Sequence, residues 1–375
     1  MQFDLLIAEL LKGFSHFTLG NALMIAVGGL LIALAVVKQY EPVLLLPIGF
    51  GCLLANIPLT GMTQGEGLFG LLYRAGISSE LFPLLIFIGI GAMIDFSPLL
   101  SQPRMVLLGA AGQFGIFGTL ILATLLGFPL NEAASIGVIG AIDGPTSIFV
   151  AAKLAPRLLA PIAVAAYSYM SLVPIIQPPL MRLFTTRQER RIRMEYAPRP
   201  ISRRARILFP VIVTLVVGLL VPDATPLISM LMLGNLLRES GVVERLNKSA
   251  QNEIANVATL FLGVTIGSTM SAASFLNLDT LGILILGLIA FVLDTIAGLL
   301  FGKLMAFVSR GAINPLIGAA GISAFPMAGR LAAQIAQEED FENFILMHAM
   351  GANTAGQLGS VMAGGILLAL VSGLV

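Results

Sequence analysis

Apolar residues dominate this chain in long, nearly unbroken runs, and polar residues fall mostly in the short intervals between them. The runs Leu107–Leu126 and Leu281–Leu300 are each about 20 residues long, enough for a helix to cross roughly 30 Å of hydrocarbon. No period-2 alternation of the kind a membrane barrel needs is present. Apolar segments are predicted near 19–37, 42–56, 81–101, 105–127, 132–155, 158–180, 207–221, 226–238, 255–276, 281–302, 312–330 and 343–375. Residues Met1–Phe17 read instead as an amphipathic helix lying on a membrane surface. They carry Asp4 and Glu9 and no basic stretch ahead of an apolar core, so they do not read as a cleaved signal peptide.

The polar intervals orient these segments. Arg182–Arg206 contains nine arginines: Arg182, Arg187, Arg190, Arg191, Arg193, Arg199, Arg203, Arg204 and Arg206. The positive-inside rule makes this stretch cytoplasmic. It reads as a solvated linker or as a docking surface for a cytoplasmic protein. Counting outward from it places Arg238, Arg245, Lys248, Lys303 and Arg310 inside. Counting from the N-terminus places Lys38 and Arg104 inside and Glu132 outside. Only one net crossing then joins Glu132 to Arg182, although two apolar segments occupy that interval. One is therefore re-entrant, or the two are broken and share a crossing. The segment holding Gly140-Ala-Ile-Asp-Gly-Pro-Thr146 is the candidate.

Composition sharpens this picture. Hydrophobic residues make up 57% of the 375 positions and charged residues 11%, against roughly 25% charged in a soluble domain. Mean hydropathy is +0.96. The charges are too few to cover a water-facing surface, so the bilayer is the solvent. Backbone groups must then be satisfied within helices or a closed barrel. The 40 glycines and 20 prolines mark tight helix packing or broken helices. A formal net charge of +1 implies no nucleic-acid partner. The single cysteine, Cys52, reads as a small packed residue.

The halves of the chain echo each other. Gly51-Cys-Leu-Leu-Ala-Asn56 matches Gly234-Asn-Leu-Leu-Arg-Glu239, Gly91-Ala-Met parallels Gly267-Ser-Thr-Met, and Ile139-Gly-Ala-Ile-Asp143 matches Ile317-Gly-Ala-Ala-Gly321. The offsets are 183, 176 and 178 residues. The topology runs matching segments in opposite directions, so the repeat is inverted. Inverted repeats with discontinuous helices are the architecture of secondary transporters, with sites near the midplane where the breaks meet. The expected fold is an all-α polytopic membrane protein, transporter-like, with two broken or re-entrant helix pairs. Repeat one spans 19–180 and repeat two 207–375, joined by a basic cytoplasmic linker at 181–206. The interfacial helix at 1–18 precedes them.

Few polar groups lie deep in apolar segments. Asp143 is the sharpest, because a carboxylate at such depth costs several kcal/mol unless paired or hydrated. Gly144 and Pro145 break the helix beside it, freeing carbonyls. A negative charge beside unwound carbonyls suits a hard cation. The alternative is a structural Asp capping the half-helix that follows. The matching break, Asn314-Pro-Leu-Ile-Gly-Ala-Ala-Gly-Ile-Ser-Ala-Phe-Pro326, offers Asn314 and Ser323 as neutral oxygen ligands. It reads otherwise as a packing kink. Asn353 is a further amide among small residues. Tyr169 is a phenol that either relays a proton or simply packs. Arg330 either holds an anionic substrate or snorkels to the interface. Asp95 reads as interfacial and Asp294 as a lesser, deeper contact. There is no phosphate-binding loop, nucleophile elbow or dinucleotide fingerprint.

The longest motifs carry a resemblance. Gly140–Thr146, Tyr-Ser-Tyr-Met-Ser-Leu-Val-Pro-Ile-Ile-Gln-Pro-Pro, Asn-Pro-Leu-Ile-Gly-Ala-Ala-Gly-Ile-Ser-Ala-Phe-Pro-Met and Met-Gly-Ala-Asn-Thr-Ala-Gly-Gln resemble the β subunit of the sodium-pumping, biotin-dependent decarboxylases. These act on oxaloacetate, methylmalonyl-CoA or glutaconyl-CoA. The resemblance covers nearly the whole chain and is weakest over the first tens of residues. It implies that a cytoplasmic carboxyltransferase loads biotin on a carrier, and that this subunit decarboxylates the carboxybiotin, takes up a proton and exports sodium. It further implies functional positions at Asp143, Tyr169, Asn314, Gly318, Ser323, Arg330 and Asn353. Asp143, Asn314, Ser323 and Asn353 are implied as sodium ligands, with Gly318 in the same metal site. Tyr169 is implied in the proton or sodium relay, and Arg330 is placed near the carboxybiotin. The Ala-Met-Lys-Met biotin-acceptor motif is missing, so carboxybiotin must arrive on a partner. Expected partners are the biotin carrier and carboxyltransferase subunits, a small membrane anchor subunit, membrane lipid and further copies in a homo-oligomer. The expected location is the cytoplasmic membrane of a bacterium. The rival reading is a stand-alone sodium-coupled carboxylate symporter or sodium/proton antiporter. Only the long motifs separate the two.

Overall fold

The computed structural model describes residues 11–195 and 200–374, and they contain helices and no strands. The expectation for Met1–Phe17 falls mainly on residues 1–10, and Arg199 falls with 196–199; both lie outside the described residues. Lys12–Ser15 form a single helical turn.

The principal helices are labelled here in chain order. They are α1 (Leu19–Val37), α2 (Pro42–Ala55), α3 (Leu81–Met93), α4 (Met105–Ala111), α5 (Phe114–Leu125), α6 (Leu130–Gly137), α7 (Gly144–Leu154) and α8 (Leu159–Phe184). After the linker come α9 (Arg203–Leu220), α10 (Thr225–Ser240), α11 (Ala255–Ser268), α12 (Leu278–Val308), α13 (Leu316–Ala319), α14 (Met327–Glu339) and α15 (Leu346–Ser372). The twelve apolar segments do not become twelve spanning helices. Five stretches are long and apolar enough to cross a bilayer: Leu19–Val37, Met105–Leu125, Pro156–Phe184, Leu278–Val308 and Leu346–Ser372. Leu68–Ser78 with Leu81–Met93, bent by 57°, makes a sixth. The segments at 132–155 and 312–330 are instead broken at their Gly/Pro clusters, where helical hydrogen bonds are lost.

Each broken segment folds back on itself. Asn131, at the start of α6, donates from Nδ2 to the carbonyl of Leu154, the last residue of α7, at 2.7 Å. The chain therefore returns to where it entered. Glu132 and Arg157 brace this base with an ion pair in which Arg157 Nη2 lies 2.6 Å from Oε2. The second break behaves alike. Asn314 before α13 and Asn343 after α14 both donate to the carbonyls of Arg190 and Ile192, at 2.9 to 3.2 Å. These bases sit at opposite ends of α8, whose 26 residues extend about 39 Å. One base lies beside Arg157, just before α8, and the other beside Arg190, just after it. Two hairpins thus start from opposite ends of α8. Helix α12 packs along α8 in the same direction, since Asp279 near its start approaches Arg157 (3.5 Å) and Lys303 near its end pairs with Glu189 (3.3 Å).

Glycines set the remaining close contacts. A Cβ on Gly51 of α2 would meet the Val264 carbonyl oxygen of α11 at 2.2 Å, and one on Gly267 would meet the Ile48 carbonyl oxygen of α2 at 2.0 Å. Likewise Gly91 of α3 faces Leu231 of α10, and Gly234 faces Ile88, at 1.8 and 2.0 Å. Substituting a matched segment for its partner, α2 for α10 and α3 for α11, turns the first crossing into the second.

The basic linker is not a loose solvated stretch over its described residues. Arg182 pairs with Glu338 (2.7 Å), Arg190 with Glu339 (2.5 Å) and Arg193 with Asp340 (2.6 Å). It therefore clamps the C-terminal end of α14. Hydrogen bonds from Arg190 and from Arg193 hold the Glu339 and Asp340 carboxyls below their ordinary values of 4.5 and 3.8. A depressed carboxyl pKa contributes stability above the ordinary value and loses it as pH falls through the lowered one. Hydrogen exchange, corrected for intrinsic rate, is expected to show the linker fully protected near neutrality and deprotected only below the ordinary carboxylate range. Protection that stays constant through that acid range would show that these pairs do not hold the linker.

Candidate functional site

The two hairpin tips touch. The Ser323 amide donates to the Ala141 carbonyl at 3.2 Å. On the first tip, Ile142 adopts φ 54°, a left-handed conformation that costs a β-branched residue roughly 1–3 kcal/mol. The turn places Asp143 at the N-cap of α7, where its Oδ1 accepts the Thr146 amide at 3.3 Å. The capping reading of Asp143 is therefore true as far as it goes. Its Oδ2 does more: it accepts from Thr146 Oγ1 (2.8 Å), Gln357 Nε2 (2.7 Å) and Ser360 Oγ (2.7 Å). No cationic side chain pairs with it among the described residues. A buried carboxylate held only by neutral donors has no protein cation to compensate it, and a bound cation could take that place. Ser360 lies 14 residues beyond Leu346, the start of α15, hence about 21 Å along the helix, so Asp143 sits beside the middle of α15.

The second tip is wired by side-chain amides. Gln177 of α8 donates to the Ala319 carbonyl (2.7 Å) and Asn353 of α15 to the Ile322 carbonyl (2.6 Å). Gln113, between α4 and α5, reaches the carbonyls of Gly321 and Gly356, each at 3.3 Å. Ser323 Oγ donates to the Gly356 carbonyl at 2.9 Å. The amide oxygens of Gln113, Gln177 and Asn353 are buried and have no hydrogen-bond partner among the described residues. Unpaired buried acceptors are costly, and oxygens of this type are what a hard cation takes as ligands.

A cavity of about 530 Å³ opens on the tips. Asp143, Ser323 and Gln357 line it together with Arg330, Arg238 and Asp95. Its walls are apolar, including Met93, Met170, Met347 and Phe325. The volume falls in the range of small-molecule sites, roughly 300–1,000 Å³. Arg330 is exposed and makes no ion pair among the described residues.

Of the residues singled out from sequence, the structure gathers Asp143, Ser323 and Arg330 in this cavity, with Asn353 one hydrogen bond behind it. Asn314 stands at the base of the second hairpin on the linker carbonyls, not at its tip. Gly318 packs against α12, where a Cβ would meet the Gly298 carbonyl oxygen at 2.0 Å. Tyr169 donates its hydroxyl to the Leu284 carbonyl. Its neighbour Tyr167 lies closer to Asp143: its ring presses on Gly144, and its buried hydroxyl has no hydrogen-bond partner among the described residues. Asp294 is fully buried and accepts the Gly115 amide at the start of α5. Asp95 is 47% exposed and faces Arg238. Sequence reading missed Gln113, Gln177, Gln357, Ser360, Thr146 and Tyr167. The signal for Gln357 was present, at the end of the Met-Gly-Ala-Asn-Thr-Ala-Gly-Gln motif. Nothing local marked Gln113.

Residues 20–371 match the family model described as the Na+-transporting oxaloacetate decarboxylase beta subunit. The chain is 55% identical over 361 residues to a methylmalonyl-CoA decarboxylase subunit beta of Veillonella parvula, covering 96% of each. It is 53% identical over 362 residues to a glutaconyl-CoA decarboxylase subunit beta of Acidaminococcus fermentans, again covering 96% of each. It is 46% identical to an oxaloacetate decarboxylase beta chain of Klebsiella pneumoniae, over 96% of this chain and 97% of the relative. With several spanning helices and this likeness over almost its full length, the chain is a multi-pass protein of the bacterial cytoplasmic membrane and belongs to the beta-subunit family of the sodium-transporting decarboxylases.

Proposed function

We propose that this subunit decarboxylates carboxybiotin presented by a partner's carrier and uses that step, with proton uptake, to export sodium. The observation that carries this reading is the placement of Asp143 at the contact of two opposed hairpin tips, on the floor of a cavity that also holds an unpaired arginine. Sodium enters from the cytoplasm and binds at the tips. Asp143 supplies the charge, and Ser323 and Asn353 supply neutral oxygens. Asn314 and Gly318 act on the same site from a distance, one by anchoring the hairpin base and the other by admitting its close packing on α12. Carboxybiotin enters the cavity from its cytoplasmic mouth, with its carboxylate toward Arg330. Its C–N bond breaks, carbon dioxide leaves with the carboxyl carbon, and the electron pair stays on the ureido nitrogen, which takes a proton. Tyr169 belongs to the relay that serves this proton or the ion. Two inverted repeats, 19–180 and 207–375, move against each other as the hairpins shift. The exchangeable α2–α11 and α3–α10 crossings support that symmetry. Moving one sodium charge against 100 mV costs about 2.3 kcal/mol, so decarboxylation and movement must be coupled. The working assembly includes the carrier and carboxyltransferase subunits, a small membrane anchor subunit and further copies of this chain.

Reconstitution in sealed vesicles with free carboxybiotin tests this. Sodium uptake in step with carbon dioxide release is expected. Uptake driven by a carboxylate or pH gradient alone, with carboxybiotin inert, would overturn the reading in favour of a symporter or antiporter.

A further inference from the structure

The cavity holds a second guanidinium. Arg238, near the end of α10, lines it with Arg330. Its Nη1 donates to the Met93 carbonyl at 2.6 Å. Met93 ends α3, so Arg238 satisfies a helix terminus whose partial negative charge attracts a cation. That bond fixes the guanidinium, whose other edge faces two carboxylates at longer range. Nη2 stands 3.7 Å from Asp95 Oδ2, and Nε stands 3.5 Å from Glu239 Oε1. A charge-assisted hydrogen bond is about 2.7–2.9 Å long, so neither contact is closed. Asp95 lines the same cavity and is 47% exposed. An ion pair that long and that wet holds its partners weakly.

The arrangement of charge along the cavity is uneven. Its floor carries Asp143, and its wall is mostly apolar. Any carboxylate entering is repelled by the floor and must find its positive charge on Arg330 or Arg238. We infer that Arg238 is a second carboxylate-binding residue of this cavity, and that Asp95 is the resident counter-ion which an entering carboxylate displaces. The planar fork of an arginine already anchored at one corner is preorganised for this exchange. The inference rests on the functional reading above, which supplies the carboxylate as that of carboxybiotin.

Two substitutions should then move the apparent affinity in opposite directions. The assay is sodium-dependent decarboxylation of free carboxybiotin by the full chain in vesicles, resolved into KM and kcat. Arg238→Ala should raise KM by about tenfold or more, as for loss of a charged hydrogen bond, with kcat changed much less. Arg238→Lys should recover part of that loss, because it keeps the charge without the fork. Asp95→Asn removes the competitor and should lower KM. A role limited to capping α3 predicts otherwise: Asp95→Asn silent, Arg238→Lys equal to wild type, and Arg238→Ala losing stability and kcat together. If Arg238→Ala does not fold, the lysine and Asp95→Asn variants decide the matter. An unchanged or raised KM in Asp95→Asn overturns the inference, as does an unchanged KM in Arg238→Ala. A wild-type protein inert toward carboxybiotin removes the functional reading and this inference with it. A wild-type protein that turns over while its variants fail these tests removes the inference alone.

Discussion

Asp143→Asn is expected to abolish sodium-dependent decarboxylation and sodium transport together while leaving the fold in place. The fold should survive because the single amide oxygen, placed where Oδ2 stands, can still accept from the Thr146 hydroxyl, Gln357 and Ser360, now at 2.7 to 2.8 Å, and only the longer 3.3 Å capping bond from the Thr146 amide to Oδ1 is given up. The charge does not survive. Asp143 is the carboxylate that the tips present to the cavity; Asp294 stands behind the first tip, against Gly140 and on the Gly115 amide, so a cation at the tips would lose the counter-charge that faces it. Removing one partner of a buried ion pair costs about 3–5 kcal/mol, which corresponds to roughly 10²–10⁴-fold in affinity. Radioactive sodium uptake and carbon dioxide release, followed in the same vesicles, should fall together. Thermal melting in detergent should be close to wild type. Retained pumping in this variant would remove Asp143 from the centre of the site.

The second large effect should come from two glycines that touch each other. In Gly318 a Cβ would lie 2.0 Å from the Gly298 carbonyl oxygen, and in Gly298 one would lie 2.3 Å from that of Gly318. Both obstacles are backbone, so α12 and α13 must separate to admit a methyl group. Overpacking of this kind costs about 1–3 kcal/mol. The displacement also reaches the tip, which α13 leads directly into, and a shift of about 1 Å at a reacting centre can cost around 10²-fold. Gly318→Ala and Gly298→Ala should therefore give similar losses of transport. Gly298 lies in no motif that pointed to chemistry. If its alanine variant transports normally while Gly318→Ala does not, Gly318 contributes its own backbone to the ion rather than space.

The re-entrant hairpin was legible before any coordinates, through an argument of parity. Arginines inside and Glu132 outside left one crossing for two apolar segments, and a carboxylate beside Gly-Pro marked where the fold-back belonged. Asp143 itself was legible because a charge flanked on both sides by apolar residues is anomalous in lipid. Its partners were not. Gln357 and Ser360 lie 214 and 217 positions away, and a glutamine or serine in a membrane helix is too ordinary to stand out. Asn314 shows the reverse. A motif placed it opposite Asp143, whereas its amide is spent on the linker at the hairpin base. The linker was ambiguous for the same reason. Its arginines were visible, but the acids that neutralise them, Glu338, Glu339 and Asp340, come about 150 residues later.

What the sequence determined by itself was the solvent of the chain, its helical class, and the two points where helices must break. These follow from transfer free energies and backbone chemistry, which sum locally along the chain. Tertiary structure alone decided that the two breaks meet tip to tip, that four side-chain amides from three separate segments close around them, and that Arg330 and Arg238 share the cavity above. Those outcomes depend on which helices approach closely enough for a glycine to face a carbonyl, and that is a property of the packed bundle, not of any stretch within it.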